Sequence, residues 1–195
     1  MQYYIIYSQY CLFQEAPPLL KMEEFVFVQQ TIYSIRKDFM KIFPNISSVI
    51  FINNTFALES ISAQSIATKT NLKRYVMKNN NFSATSFVLR REFMEKLIHS
   101  FQFADNGSLD LSYNGLPISK FAVANMIKQV SNVEALSLAG NQFGQFFQAE
   151  GIFSSFNYLK KLDLSYSGLP KQKGVLKGTF SSFANGYLKR PKLSG

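Results

Sequence analysis

Apolar and polar residues alternate over short stretches that recur along the chain. The clearest stretch is 109–116 (LDLSYNGL), and it returns at 136–143 (LSLAGNQF) and at 162–169 (LDLSYSGL). The starts of these copies lie 27 and 26 residues apart. Apolar residues at every second position are typical of a β-strand with one buried face. The recurrence predicts a repeat array in which each copy contributes one strand.

Weaker copies precede and follow these three. The first apolar position of each strand core falls at residues 4, 25, 49, 75, 109, 136, 162 and 191, in steps of 21 to 34 residues. The 34-residue step between 75 and 109 predicts an insertion, and Asn106 stands where that copy should carry a leucine. We therefore expect a single domain over residues 1–195, with about seven repeats and a truncated last one.

The spacing L-x-x-L-x-L-x-x-N-x-L in these copies resembles the leucine-rich repeat, and the step length resembles its ribonuclease-inhibitor-like subclass. The resemblance implies an α/β solenoid in which a curved parallel sheet lines the concave face and helices line the convex face. Because the last copy stops within its strand, we interpret the chain as a fragment of a longer protein.

Asparagine recurs at the position where each strand should end. Its amide carries both donors and an acceptor, so it can satisfy backbone groups that lose their ladder partners there. The predicted ladder comprises Asn54, Asn80, Asn114 and Asn141. Gln30 and Ser167 take this position in two other copies, and we expect looser turns there.

Three segments outside the strands have apolar residues at helical spacing, which predicts helices over 31–43, 86–101 and 118–130. In the second of these, Phe87, Leu89, Phe93, Leu97 and Phe101 form the predicted buried stripe. These aromatic stripes are interpreted as core packing, since nothing in their spacing requires a cofactor pocket.

Composition narrows the candidate chemistry. The chain is 47% hydrophobic and 17% charged, which is enough apolar material for a core. No apolar run approaches the roughly 18 residues of a transmembrane helix. Cys11 is the only cysteine and His99 the only histidine, which excludes an internal disulfide and a zinc site built from these two residue types. We therefore predict no enzyme activity, no metal and no cofactor.

The lone cysteine and the absence of a signal-peptide pattern at the N-terminus favour a cytoplasmic location. The resemblance implies that a protein partner is bound on the concave face, through side chains between the apolar strand positions. Because many of these side chains are basic or aromatic, we expect a protein partner of acidic character. The candidate contact residues are Lys73, Arg74, Lys78, Asp110, Tyr113, Lys160, Lys161, Asp163 and Tyr166. Ordinary solvated sheet residues are the alternative interpretation.

Two other functions stay open at this point. The chain would be the repeat arm of a larger regulator or receptor, of the small-GTPase, actin or immune signalling type, whose activity lies elsewhere. Alternatively, the basic stretch 171–192, with six Lys and Arg and no acidic residue, would contact anionic lipid at a membrane surface, or RNA. Nucleic acid is disfavoured because most phenylalanines occupy core positions and are not interleaved with the basic residues.

Overall fold

A computed structural model describes residues 23–33, 45–57, 72–99, 103–115, 128, 130–141 and 156–168. Six parallel strands form one sheet, and each strand lies beside the strand of the preceding repeat. The strands of this sheet are β1 (Glu24–Val28), β3 (Ser48–Ile52), β5 (Leu72–Lys78), β6 (Phe103–Asp110), β7 (Ala135–Ser137) and β8 (Lys161–Asp163). Stacked in chain order, these strands make the protein a parallel-sheet solenoid.

The register of this sheet confirms the repeat positions predicted from the sequence. Phe25 pairs with Val49, and Val49 pairs with Tyr75. The row continues through residues 109, 136 and 162, each of which is the first apolar residue of a predicted strand core. Because this row is buried in every strand, a slip of one residue would turn it out of the core.

The predicted insertion is partly contained in a bulge of β6. Leu72 pairs with Phe103 and Arg74 with Ser108, so five residue steps on β6 face two on β5. The template placed Asn106 opposite Leu72, and this assignment is wrong. Phe103 is buried in that place, whereas Asn106 is exposed with a positive φ of 62°. The strand accommodates the extra residues because an asparagine tolerates the left-handed conformation.

A second, smaller parallel sheet follows the first at the turn. It consists of β2 (Thr31–Ile32) and β4 (Thr55–Phe56). The sequence predicted a helix starting at Thr31, and this start is wrong. The segment is a strand because it pairs with the next repeat. The N–H of Thr55 donates to the carbonyl of Gln30, and the N–H of Ala57 donates to that of Ile32. The rest of the predicted helix 31–43 lies outside the described residues.

Helix α1 (Phe87–His99) lies within the predicted segment 86–101. Ser86 caps its first turn, since the N–H of Leu89 donates to the Ser86 hydroxyl. Phe93 and Leu97 are buried as predicted, four residues apart on one face. Phe87 was expected in the same stripe but is 59% exposed, because its position is not in phase with that pair.

Stacked aromatic rings form much of the core between β3 and α1. The rings of Phe56 and Phe82 are parallel with centroids 4.5 Å apart, and both rings contact Phe93. Phe51 connects this group to Tyr75 of the next strand. Complete burial raises the pKa of the Tyr75 hydroxyl well above its ordinary value, so this tyrosine is neutral in the folded protein.

Several predictions fall outside the described residues. These are the first copy at residues 4–11, the truncated copy at 188–193, the basic stretch 171–192 and nearly all of the predicted helix 118–130. Within the described ranges, no helix is long and apolar enough to cross a membrane.

Candidate functional site on the outer face of the sheet

The outer face is the side of the six-stranded sheet opposite the buried row. Its side chains alternate with the buried ones along each strand. The central column of the outer face consists of Val26, Ile50, Val76, Asp110, Ser137 and Asp163. The first three positions of this column are apolar and the last three are polar. Ile50 and Val76 are buried, although they lie between the apolar strand positions, where the sequence predicts side chains available to a partner.

The asparagine ladder anchors the ends of these strands. The backbone N–H of Asn54 donates to Asn80 Oδ1 at 2.9 Å. The same bond joins Asn80 to Asn114 at 3.0 Å and Asn114 to Asn141 at 3.3 Å. All four side chains are buried, so each amide holds the turn of the preceding repeat against its own.

The other amide atoms of the ladder bond strand carbonyls. Asn114 Nδ2 donates to the carbonyls of Met77, at 2.6 Å, and Leu111, at 2.8 Å. Ser167 departs from the ladder, but its hydroxyl still donates to the Leu138 carbonyl at 3.1 Å. The looser turns expected at the two departures from asparagine stay a prediction.

Just before the ladder, the chain takes a left-handed conformation in every described repeat. The residues of this edge column are Gln29, Asn53, Asn79, Tyr113, Gly140 and Tyr166, with φ between 54° and 66°. Such a conformation costs a non-glycine residue about 1–2 kcal/mol, which the adjoining ladder bonds offset. At this edge, Asn79 donates to the Asn53 side chain at 2.8 Å.

Tyr113 and Tyr166 form an exposed aromatic pair in this column. Gly140 lies between them and has no side chain, and the Tyr113 ring lies directly against it. The ring centroids are therefore only 6.5 Å apart, and the two rings are 41% and 62% exposed. The sequence predicted the shared register of the tyrosines but missed Gly140, whose position between them was readable from the repeat alignment.

Gly140→Ala is expected to lower the free energy of unfolding by about 2–3 kcal/mol, from a left-handed alanine plus displacement of the Tyr113 ring. Gly115→Ala is the matched control, because Gly115 also has a positive φ but open space around the added carbon. Its cost should be about 1–2 kcal/mol. Urea unfolding measures both, and equal costs would show that the ring does not occupy this space.

Two of the predicted basic contact residues form ion pairs with glutamates. Arg74 lies 3.7 Å from a Glu24 oxygen that also accepts from the Ser48 hydroxyl at 2.8 Å. Lys160 pairs with Glu134 at 3.1 Å. The sequence analysis did not predict these pairs. The repeat register places Glu134 on the strand-end position next to Lys160, and Glu24 two strands away from Arg74.

Three predicted cations stay exposed without such a pair among the described residues, namely Lys73, Lys78 and Lys161. Lys73 and Lys78 lie on β5, with Lys73 at the bulge, and Lys161 lies on β8. The basic character of the outer face therefore comes from fewer side chains than the sequence suggested.

The two predicted carboxylates have the same local geometry. Asp110 Oδ1 accepts from the N–H of Ser112 at 2.9 Å, and Asp163 Oδ1 accepts from the N–H of Ser165 at 3.0 Å. These bonds tie each carboxylate to the turn that follows its strand. Both aspartates are partly exposed, so their charge contributes to the surface potential of the outer face.

Comparison with known proteins adds no family assignment: no protein-family model matches the chain, and no curated protein matches it significantly. In the part of the chain that the structure describes, no three potential metal ligands come together.

Proposed function

We propose that the chain is a non-catalytic recognition module of the leucine-rich-repeat type, which binds a protein partner through the outer face of its sheet. In this proposal the outer face is the concave one, and α1 belongs to the helical, convex side of an α/β solenoid. The buried asparagine ladder supports the family assignment, because it matches the asparagine of the repeat template residue by residue.

The single observation that carries the binding proposal is the exposed pair of Tyr113 and Tyr166. Exposed tyrosines on a rigid backbone contribute large contact area with little loss of side-chain entropy. Here the backbone is held by hydrogen bonds to the neighbouring repeat, since the N–H of Tyr113 donates to the Ala139 carbonyl at 2.8 Å. A pre-formed aromatic surface of this kind favours contact with another protein.

The remaining lysines support an acidic region in that partner. Lys73, Lys78 and Lys161 are exposed, and no described carboxylate neutralises them. Arg74 and Lys160 are weaker candidates, because a partner would have to compete with Glu24 and Glu134 for them.

The test is a comparison of captured proteins from the native cell. We expect the immobilised chain to retain a specific set of proteins, and the triple variant Lys73→Glu, Lys78→Glu, Lys161→Glu to lose it. Reversal of surface charges slows association and repels an acidic partner, so retention should fall about tenfold or more. Quantitative mass spectrometry measures this retention.

Lys128→Glu serves as the control, since Lys128 is an exposed cation outside the sheet. A second variant, Tyr113→Ser with Tyr166→Ser, tests the aromatic pair without changing the charge. If the triple-lysine and the double-tyrosine variants both retain the same proteins as the wild type while remaining folded, the outer face is not the contact surface.

A further inference from the structure

The edge column continues the parallel pairing of the sheet past the strand ends. Each of its backbone N–H groups, except that of Tyr166, donates to the carbonyl just before the next residue of the column, at 2.8 to 3.2 Å. Consecutive positions are therefore one strand spacing apart, about 4.8 Å. Gly140 has no side chain, and every other side chain of the column is exposed. The column is thus an accessible row of three amides and two tyrosines across the strands.

A polyproline II helix has a repeat that matches this row. It rises about 3.1 Å per residue with about three residues per turn, so every third residue faces the same way at intervals of about 9.3 Å. Alternate positions of the edge column are two strand spacings apart, about 9.6 Å. Asn53, Tyr113 and Tyr166 occupy such alternate positions. A polyproline II segment lying across the strands would present one turn to each of them.

The side chains at these positions suit both parts of a proline residue. The rings of Tyr113 and Tyr166 are exposed and inclined at 46°, and apolar prolyl rings pack on aromatic surfaces of this kind. The backbone carbonyls of a polyproline II helix make no internal hydrogen bonds, so they need outside donors. Asn53 offers one, because its Oδ1 accepts from Asn79 while its Nδ2 has no bond within the described ranges.

Lys78 adds a positive charge beside the row. It is exposed, directly precedes Asn79 and forms no ion pair with a described carboxylate. A carboxylate on a docked segment would therefore be attracted to this place, and the net charge of +9 adds to that attraction. An apolar segment without proline is the alternative occupant. It matches the row less well, because it has no fixed repeat and loses more chain entropy on binding.

We propose that the edge column binds a proline-rich segment of a partner protein in the polyproline II conformation, with an acidic residue of the segment beside Lys78. This inference rests on the proposed function and names the chemistry of the contact. The prolyl rings pack on Tyr113 and Tyr166, and Asn53 donates to a backbone carbonyl one or two turns away.

The experiment titrates the whole chain with capped decaproline and follows backbone amides by NMR. We expect saturable shifts at Tyr113, Gly140 and Tyr166. Two capped decapeptides are the controls: a Gly-Ser repeat, which is flexible, and a Gly-Leu repeat, which is apolar without proline. Neither should bind in the concentration range that saturates with decaproline. Equal binding of the Gly-Leu peptide would show a general apolar surface and would overturn the proposal.

The aromatic contact is tested by Tyr113→Ser combined with Tyr166→Ser. This variant should weaken decaproline binding about tenfold or more, as expected for loss of an aromatic hot spot. Phenylalanine at both positions restores the rings and should restore binding. Tyr158→Ser is the matched control, because Tyr158 is also exposed but lies outside the strands. Unchanged affinity in the double serine variant, with its fold intact, would contradict the proposal.

The polar contacts have separate tests. Asn53→Asp keeps the oxygen that accepts from Asn79 but removes the donor, and it should weaken binding about threefold. An aspartate added to decaproline, at each end in turn, should tighten binding about threefold at one of them, the size expected for one exposed ion pair. Lys78→Gln should remove this gain. No gain at either end in the wild type would show that the segment does not pass Lys78.

Failure of the inference and failure of the proposed function give different results. If decaproline does not bind, but the lysine and tyrosine variants of the outer face still lose their captured proteins, the polyproline site is wrong and the recognition function stands. If neither variant changes the captured proteins either, both proposals are wrong.

Discussion

Asn114→Ala is expected to lower the free energy of unfolding by about 3–4 kcal/mol, because one substitution removes four buried hydrogen bonds. The carbonyls of Met77 and Leu111 would each lose the Asn114 amide, and the backbone N–H and side-chain amide of Asn80 would both lose the oxygen to which they donate. Each unsatisfied buried group costs about 1–3 kcal/mol, and water entering the space left by the side chain reduces the total. Urea unfolding measures the change.

The matched control is Asn157→Ala, which removes an exposed asparagine. It should change stability by less than about 0.5 kcal/mol. A loss of under about 1 kcal/mol in Asn114→Ala would mean that water replaces the amide without penalty, and the ladder would then not be a main source of stability.

Phe56→Ala should be comparably destabilising, by about 3–5 kcal/mol. The Phe56 side chain is fully buried and its ring stacks on Phe82 while also contacting Phe51 and Phe93. Alanine would leave a cavity among rings that are already packed and cannot all move inward. Thermal or urea unfolding gives the magnitude.

Phe87→Ala provides the control, since that phenylalanine is exposed and should cost less than about 1 kcal/mol. Hydrogen exchange adds a spatial test. Because each repeat contacts mainly its neighbours, Phe56→Ala should speed exchange in β3 and β5 more than in β8. A uniform increase across all strands would show that the solenoid unfolds as one unit.

The repeat register could be predicted because each copy carries its own signal. The residues at 25, 49, 75, 109, 136 and 162 are all apolar or aromatic, and burial of the row leaves only one alignment. The bulge in β6 could not be predicted. From the sequence, either Asn106 or Phe103 could lie opposite Leu72, and only packing in the folded chain selects the phenylalanine.

The helix prediction failed at Thr31, where local helical periodicity competes with strand pairing to the next repeat. The segment from Thr31 has helical spacing of its apolar residues, yet Thr31 and Ile32 pair with the next repeat. Local periodicity cannot register hydrogen bonds that a later repeat supplies. For α1, by contrast, the Ser86 cap and the buried pair of Phe93 and Leu97 agree, and the element forms within the predicted segment.

The candidate surface was predictable in position but not in chemistry. Repeat spacing placed Tyr113 and Tyr166 in one register, and the structure has them in contact range. The repeat spacing did not indicate that Arg74 and Lys160 form ion pairs with Glu24 and Glu134. Those pairs join residues 26 or more positions apart, which meet only after the repeats stack.

The sequence by itself thus determined the buried row that runs through the six strands and which asparagines end them, because both follow from a pattern repeated within short segments. Only the tertiary structure decided which charges neutralise each other, where the Tyr113 ring lies and how β6 absorbs its extra residues. Those outcomes depend on side chains of different repeats meeting across the sheet. The distances between these side chains are set by how the repeats stack, so they cannot be derived from the sequence of one repeat.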